Sequence, residues 1–160
     1  MAGATDPRGG ARVRIPPPLV YLALIGAGVA LRYLVAPPPL PGSRGVQFAV
    51  GGALVALALA IGGSAVGLFK KSGQNPAPWK PSPSLVLQGA YRFTRNPMYV
   101  GMTLILVGIG FALDDLWLVI GAALFLVVVH YTAVLPEEAY LDEKFGDDYR
   151  AYKKKVRRYL

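Results

Sequence analysis

Two short stretches hold most of the residues that could do chemistry. The first runs Leu87-Gln88-Gly89-Ala90-Tyr91-Arg92-Phe93-Thr94-Arg95-Asn96-Pro97-Met98-Tyr99-Val100-Gly101 and reads as a helix start, with Asn96 at the cap and Pro97 in the first helical position. A helix N-terminus offers unpaired N–H groups and the positive end of the helix dipole, so with Arg92 and Arg95 beside it this start suits a carboxylate or phosphate. Gly89 and Gly101 permit close backbone approach, and Tyr91, Phe93 and Tyr99 supply faces for an aromatic or heterocyclic ring. The same residues would also serve as a plain helix cap with arginines anchoring a membrane boundary.

The second stretch is His130-Tyr131-Thr132-Ala133-Val134-Leu135-Pro136-Glu137-Glu138-Ala139-Tyr140-Leu141. Glu137 and Glu138 follow a proline, as acids at a helix start do, for a stabilisation of about 0.3 to 1 kcal/mol. As binding groups, one of them would accept a ligand ammonium or ribose hydroxyls while the arginine-flanked helix end takes a carboxylate, so a zwitterionic amino-acid moiety would satisfy both. His130, the only histidine, precedes the pair by seven and eight residues and would face roughly the same way on a continuous helix, unless Pro136 alters the register. No metal site can be assembled from one histidine and these carboxylates, and with no cysteine the chain has neither disulfides nor a thiolate nucleophile.

These groups must be positioned by membrane helices. Of the 160 residues 54% are hydrophobic and only 16% charged, against roughly a quarter charged in soluble domains, and the mean hydropathy is +0.42. Four apolar segments stand out, Pro17 to Ala36, Val46 to Phe69, Met98 to Leu113 and Leu116 to Leu135, the last two joined by Asp114 and Asp115 as a tight hairpin. None alternates with period two, so the fold class is an all-α integral membrane protein of about four transmembrane helices, with a loop and a C-terminal helical segment on one side. Residues 1–16, rich in Gly, Arg and Pro, are expected to be disordered; 17–69 hold two N-terminal spans; 70–160 form the functional core. Every Lys and Arg except Arg32 and Arg44 lies before the first segment, between the second and third, or after the fourth. Both termini and the central loop are therefore expected in the cytoplasm. The net charge of +8 fits anionic lipid headgroups rather than nucleic acid, because the basic residues flank apolar segments.

Arg32 is expected to snorkel to the interface, and the pairs Gly63/Gly67 and Gly101/Gly108 to mark tight helix contacts. The prolines of Asn75 to Pro83 force an extended path, with Trp79 at headgroup level. Tyr149, Tyr152, Val156 and Tyr159 recur at three- and four-residue steps, the pattern of an amphipathic helix lying on the membrane or closing over the loop. A small multidrug transporter would need a carboxylate within the first span, and there is none.

Gly89 to Gly101, then Glu-Glu-Ala-Tyr-Leu at 137 to 141, then Phe-Gly-Asp-Asp-Tyr-Arg-Ala-Tyr at 145 to 152, resemble the isoprenylcysteine carboxyl methyltransferase family and its phospholipid methyltransferase relatives over about Leu87 to Arg158. The resemblance implies a membrane enzyme that uses S-adenosylmethionine to methylate a lipophilic substrate entering from the bilayer: an isoprenylcysteine-type carboxylate, or a related lipid acid, thiol or amine. It also implies a cytosol-facing cofactor pocket built from the last two spans and the C-terminal segment. On that likeness Arg92, Arg95, Asn96, Tyr99, Glu137 and Glu138 are cofactor-binding residues, with Gly89, Tyr91 and Gly101 shaping the pocket. Arg95 or Arg92 would orient a carboxylate acceptor, and Glu138 or His130 would take the proton of an amine. Asn96 stands where the eukaryotic carboxyl methyltransferases have His, which removes proton transfer at that position. The Ala-, Gly- and Arg-rich composition points to a bacterial inner membrane. A phospholipid N-methyltransferase, a non-catalytic cofactor-binding relative and a small transporter are the alternatives.

Overall fold

The computed structural model describes residues 9–160. Five α-helices follow in order: α1 (Pro17–Leu34), α2 (Arg44–Lys71), α3 (Pro97–Leu113), α4 (Leu116–Val129) and α5 (Leu135–Lys155). A 3₁₀ turn over Gly89–Arg92 precedes α3, and a π turn over His130–Val134 joins α4 to α5. Each start has its local cause. Pro17 opens α1, the Ser43 hydroxyl accepts from Val46 N–H at α2, and Asp115 accepts from the Trp117 and Leu118 N–H groups at α4. Asp114 ends α3 in the left-handed conformation, φ 53°, which makes the two-residue hairpin possible.

The helices pack in the order α2, α3, α4, α1. The first helix therefore lies against the fourth, and a gap remains between α1 and α2. The core is filled by Val20, Leu106, Leu118, Ala122, Phe125 and Val129, with Tyr21 edge-on to Phe125 at 5.1 Å. The α2–α3 seam is backbone on backbone: a Cβ on Gly51 would lie 2.5 Å from the Gly108 carbonyl oxygen, one on Gly108 2.8 Å from that of Gly51, and one on Gly101 3.2 Å from that of Ala58. This bears out the reading of Gly101 and Gly108 and corrects that of Gly63 and Gly67, which have open space around them; the small residues meeting α3 are Gly51, Ala58 and Gly62. Gly101 consequently shapes a helix contact rather than a pocket.

Three helical runs, Pro17–Leu34, Arg44–Lys71 and the α4–α5 run Leu116–Lys155, are long and apolar enough to cross a membrane, and Pro97–Leu113 is a shorter apolar helix. Large apolar side chains such as Leu22, Phe48 and Leu59 are more than 60% exposed, a surface suited to lipid. The protein is an all-α integral membrane protein.

At the end away from the polar loop, Arg32 does not simply snorkel. Its guanidinium donates to Asp115 Oδ2 at 3.0 Å and to the Leu113 carbonyl, while Asp114 accepts from Leu40 N–H and from Gln47 Nε2. These bonds tie α1, the α1–α2 connection and the hairpin together.

Candidate functional site

Where the polypeptide leaves α4, Pro136 has no N–H to give to the carbonyl one turn back, and the helix widens into the π turn, with Leu135 N–H bonded to the His130 carbonyl. The helix that follows carries Glu137 and Glu138 back under the start of α3. It breaks at Gly146, whose φ of 52° and ψ of −122° only glycine adopts without strain, so that the segment after it returns toward the loop. The helical repeat does not continue to Tyr159. The helix stops at Lys155, and the chain runs on extended, pairing Thr94 with Arg157 in a short parallel bridge and bonding Arg95 N–H to the Arg157 carbonyl at 2.9 Å.

Arg95 and both glutamates meet there. Glu138, with only 12% of its side chain exposed, is 3.2 Å from Arg95 Nη1 and receives two hydrogen bonds from Arg158, from Nε at 2.9 Å and from Nη2 at 2.8 Å. Its charge is thus fully used within the protein. Glu137 differs: among the described residues it has no ion pair, and its polar contact is the Tyr99 hydroxyl, which donates to Oε2 at 3.3 Å. Burial pushes its carboxyl up to about 7, with the neighbouring Glu138 charge adding to the rise and the Tyr99 hydrogen bond opposing it. Arg95 is also left incomplete. Its side chain is 10% exposed, yet Nε has no hydrogen-bond partner among the described residues.

Asn96 occupies the cap position of α3 without capping it; its amide donates instead to the Arg158 carbonyl at 2.9 Å, as does the Thr94 hydroxyl at 3.1 Å. Tyr91 accepts at its carbonyl from the Tyr152 hydroxyl at 2.7 Å and packs against Phe69. Burial raises the Tyr91, Tyr149 and Tyr152 phenols, the last to about 12, so all three remain protonated at neutral pH. Gly89, at φ 57°, seats the 3₁₀ turn on α2, where a Cβ would meet Leu68 at 2.9 Å.

Tyr91, Arg95 and Glu137 line two adjoining cavities. The larger, about 240 Å³, is walled mainly by apolar side chains from the starts of α1 and α3, the end of α2 and the loop around Trp79, with Arg95, Asn96, Tyr99 and Glu137 at its polar pole. The smaller, about 50 Å³, lies toward Ser82, Leu141, Tyr149 and Tyr152. Through Ser84, Leu85, Leu87 and Tyr152 it shares walls with an open groove that reaches Arg92 and Lys155.

Three sequence candidates lie elsewhere. Arg92 faces that outer groove, Phe93 is 76% exposed, and His130 bonds through Nδ1 to the Tyr159 hydroxyl at 2.8 Å in a separate niche with Leu126 and Tyr131. The π turn explains the histidine: it shifts the helical register between His130 and Glu137. Sequence reasoning missed Arg158, which clamps Glu138 from a segment read as helical, and the walls supplied by Pro17, Val66 and Phe69. Only the proline-rich run around Trp79 had signalled an ordered non-helical piece nearby.

A family model described as phospholipid methyltransferase matches residues 46–148, an interval that opens in α2 and takes in both stretches that meet at the cavity. An uncharacterized protein of Haemophilus influenzae is 41% identical over 63 residues, which are 39% of this chain and 100% of that protein. No solved structure matches the chain.

Proposed function

The chain belongs to the phospholipid methyltransferase family, and from that premise we propose that this membrane methyltransferase takes its methyl group from S-adenosylmethionine and gives it to a lipophilic acceptor drawn from the bilayer. The observation that carries the reading is the bonding capacity left over in one cavity: a buried Arg95 whose charge is paired with Glu138 but whose Nε has no hydrogen-bond partner, and a Glu137 carboxylate with no cation beside it among the described residues. A buried polar atom left without a partner is costly, about 1 to 3 kcal/mol, so a site of this kind is completed by a ligand. Arg95 suits the carboxylate of an amino-acid moiety and Glu137 its ammonium, while Tyr91 and Tyr99 offer aromatic faces; the donor set fits the cofactor.

S-adenosylmethionine supplies an electrophilic methyl on a sulfonium, and the transfer needs a nucleophile in line at about 3 to 3.5 Å. The protein's part is to hold, orient and exclude water. Glu138 and Arg158 keep Arg95 in place, the Tyr99 hydroxyl orients Glu137, and the apolar walls take a lipophilic acceptor up to that pole. The gap between α1 and α2 is its route from the bilayer. The basic residues around the site end support a cytoplasmic position for that end at a bacterial inner membrane, with bilayer lipid rather than nucleic acid as its surroundings.

Calorimetric titration of S-adenosylhomocysteine into protein in nanodiscs tests the cofactor: binding is expected, and should fall at least tenfold in Glu137→Gln. Transfer of tritiated methyl from S-adenosylmethionine into the organic phase of a membrane lipid extract tests the acceptor class. A monodisperse, helical protein that neither binds the one nor labels the other would overturn the proposal.

A further inference from the structure

We propose that residues 9–16 form a strap that closes the apolar cavity and releases to admit the acceptor, a role that rests on that cavity being the acceptor's site. The strap crosses the site end between two anchors. At one, Ala11, fully buried, donates its N–H to the Pro78 carbonyl at 2.8 Å. Gly10 beside it lies so close to the loop that a Cβ would fall 2.2 Å from the Trp79 carbonyl carbon, a position only glycine can occupy. At the other, Arg14 N–H donates to the Thr132 carbonyl at 3.0 Å. Thr132 lies within the π turn just before Pro136, where the regular helical bonding is interrupted. The strap is therefore fastened to the same turn that sets the position of Glu137.

What the strap holds is the cavity wall. Pro78 and Trp79 line the cavity from the loop, and the strap runs directly into Pro17 and Pro18, which line it from α1. The wall is therefore pinned at both sides of the α1–α2 gap by a segment without helical structure. Few backbone bonds and a glycine at φ 82° at its start give such a segment a low cost of local opening compared with the helices it crosses. The other anchor-bearing parts, loop and π turn, stay tied to the protein by their own bonds when it lifts.

The chain has no cysteine, so Ala11→Cys with Pro78→Cys introduces a single pair. In a Trp117→Phe background, in nanodiscs containing brominated phosphatidylcholine, Trp79 emission reads entry of acyl chains into the cavity. Quenching is expected to fall at least threefold when the pair is oxidised and to return on reduction, and to exceed the wild-type value in Gly10→Val, while S-adenosylhomocysteine affinity in Gly10→Val stays within twofold of wild type. Equal quenching in the oxidised, reduced and Gly10→Val proteins, or failure of the pair to form a disulfide, would overturn the strap. Absence of S-adenosylhomocysteine binding in every form, with quenching still responsive, would instead sink the methyltransferase reading and leave the strap standing.

Discussion

Glu137 and Glu138 are neighbours of identical type with different fates, and the difference is one of partners. Glu138 neutralises Arg95 and Arg158, so Glu138→Ala leaves Arg95 buried without its counter-ion. Removing one partner of such a pair typically costs about 3 to 5 kcal/mol. A clear drop in melting temperature is expected, and an unchanged melt would show the clamp to be idle. Glu137 carries no such duty. Because burial lifts its carboxyl to about 7, a ligand ammonium must first bind to the ionised fraction, which grows from about a tenth at pH 6 to about nine-tenths at pH 8. Affinity for S-adenosylhomocysteine should therefore rise about tenfold over that interval in the wild type and stay flat in Glu137→Gln, as calorimetry at three pH values would show. Without ligand the sign reverses. The raised carboxyl favours the fold below pH 4.5 and loses that contribution as pH rises toward 7, so the melting temperature of wild type relative to Glu137→Gln should decline across that window.

Among the elements, glycines that look alike in sequence separate by what they touch. Gly108 meets the Gly51 carbonyl across the α2–α3 seam, whereas Gly63 meets nothing within 4 Å. Gly108→Ala forces two helix backbones apart and should destabilise by about 1 to 3 kcal/mol. Gly63→Ala gains helix propensity of up to about 1 kcal/mol and should be neutral or stabilising. Thermal melts of the two in one detergent decide it, and equal losses would mean the seam lies elsewhere. Gly146 belongs to the same scale. With φ at 52° and ψ at −122°, Gly146→Ala should cost about 1 to 3 kcal/mol and weaken cofactor binding, since the segment it aims carries Tyr149, Tyr152 and Arg158.

Over the whole molecule, polar bonding is divided between two ends. Arg32, Asp114, Asp115 and Gln47 fasten the end away from the cavity, and Arg95, Glu138 and Arg158 fasten the other. Asp115 is 1% exposed and accepts from two N–H groups at the start of α4 as well as from Arg32. Asp115→Ala should lower stability by about 1 to 2 kcal/mol while leaving S-adenosylhomocysteine affinity within twofold. A matching loss of affinity would mean the two ends are coupled through the bundle.

Helix number, the hairpin at Asp114 and Asp115, the start of α3 and the gathering of arginines and glutamates at one end were all legible in the sequence, because hydrophobic runs, proline and capping residues act within a few positions of themselves. The order α2–α3–α4–α1 was not legible. It depends on which glycines meet a facing backbone, and nothing in a helical period distinguishes Gly51 from Gly63. Nor was the departure of His130 from the glutamates, since one inserted residue in a π turn rotates everything before it relative to everything after. Local steric and capping preferences therefore determined the elements and the residues available for chemistry. Only tertiary packing decided which charges were consumed by Arg158 and which were left facing a cavity, because Arg158 reaches Glu138 from 20 residues along the chain and is held there by Thr94 and Asn96 from more than 60.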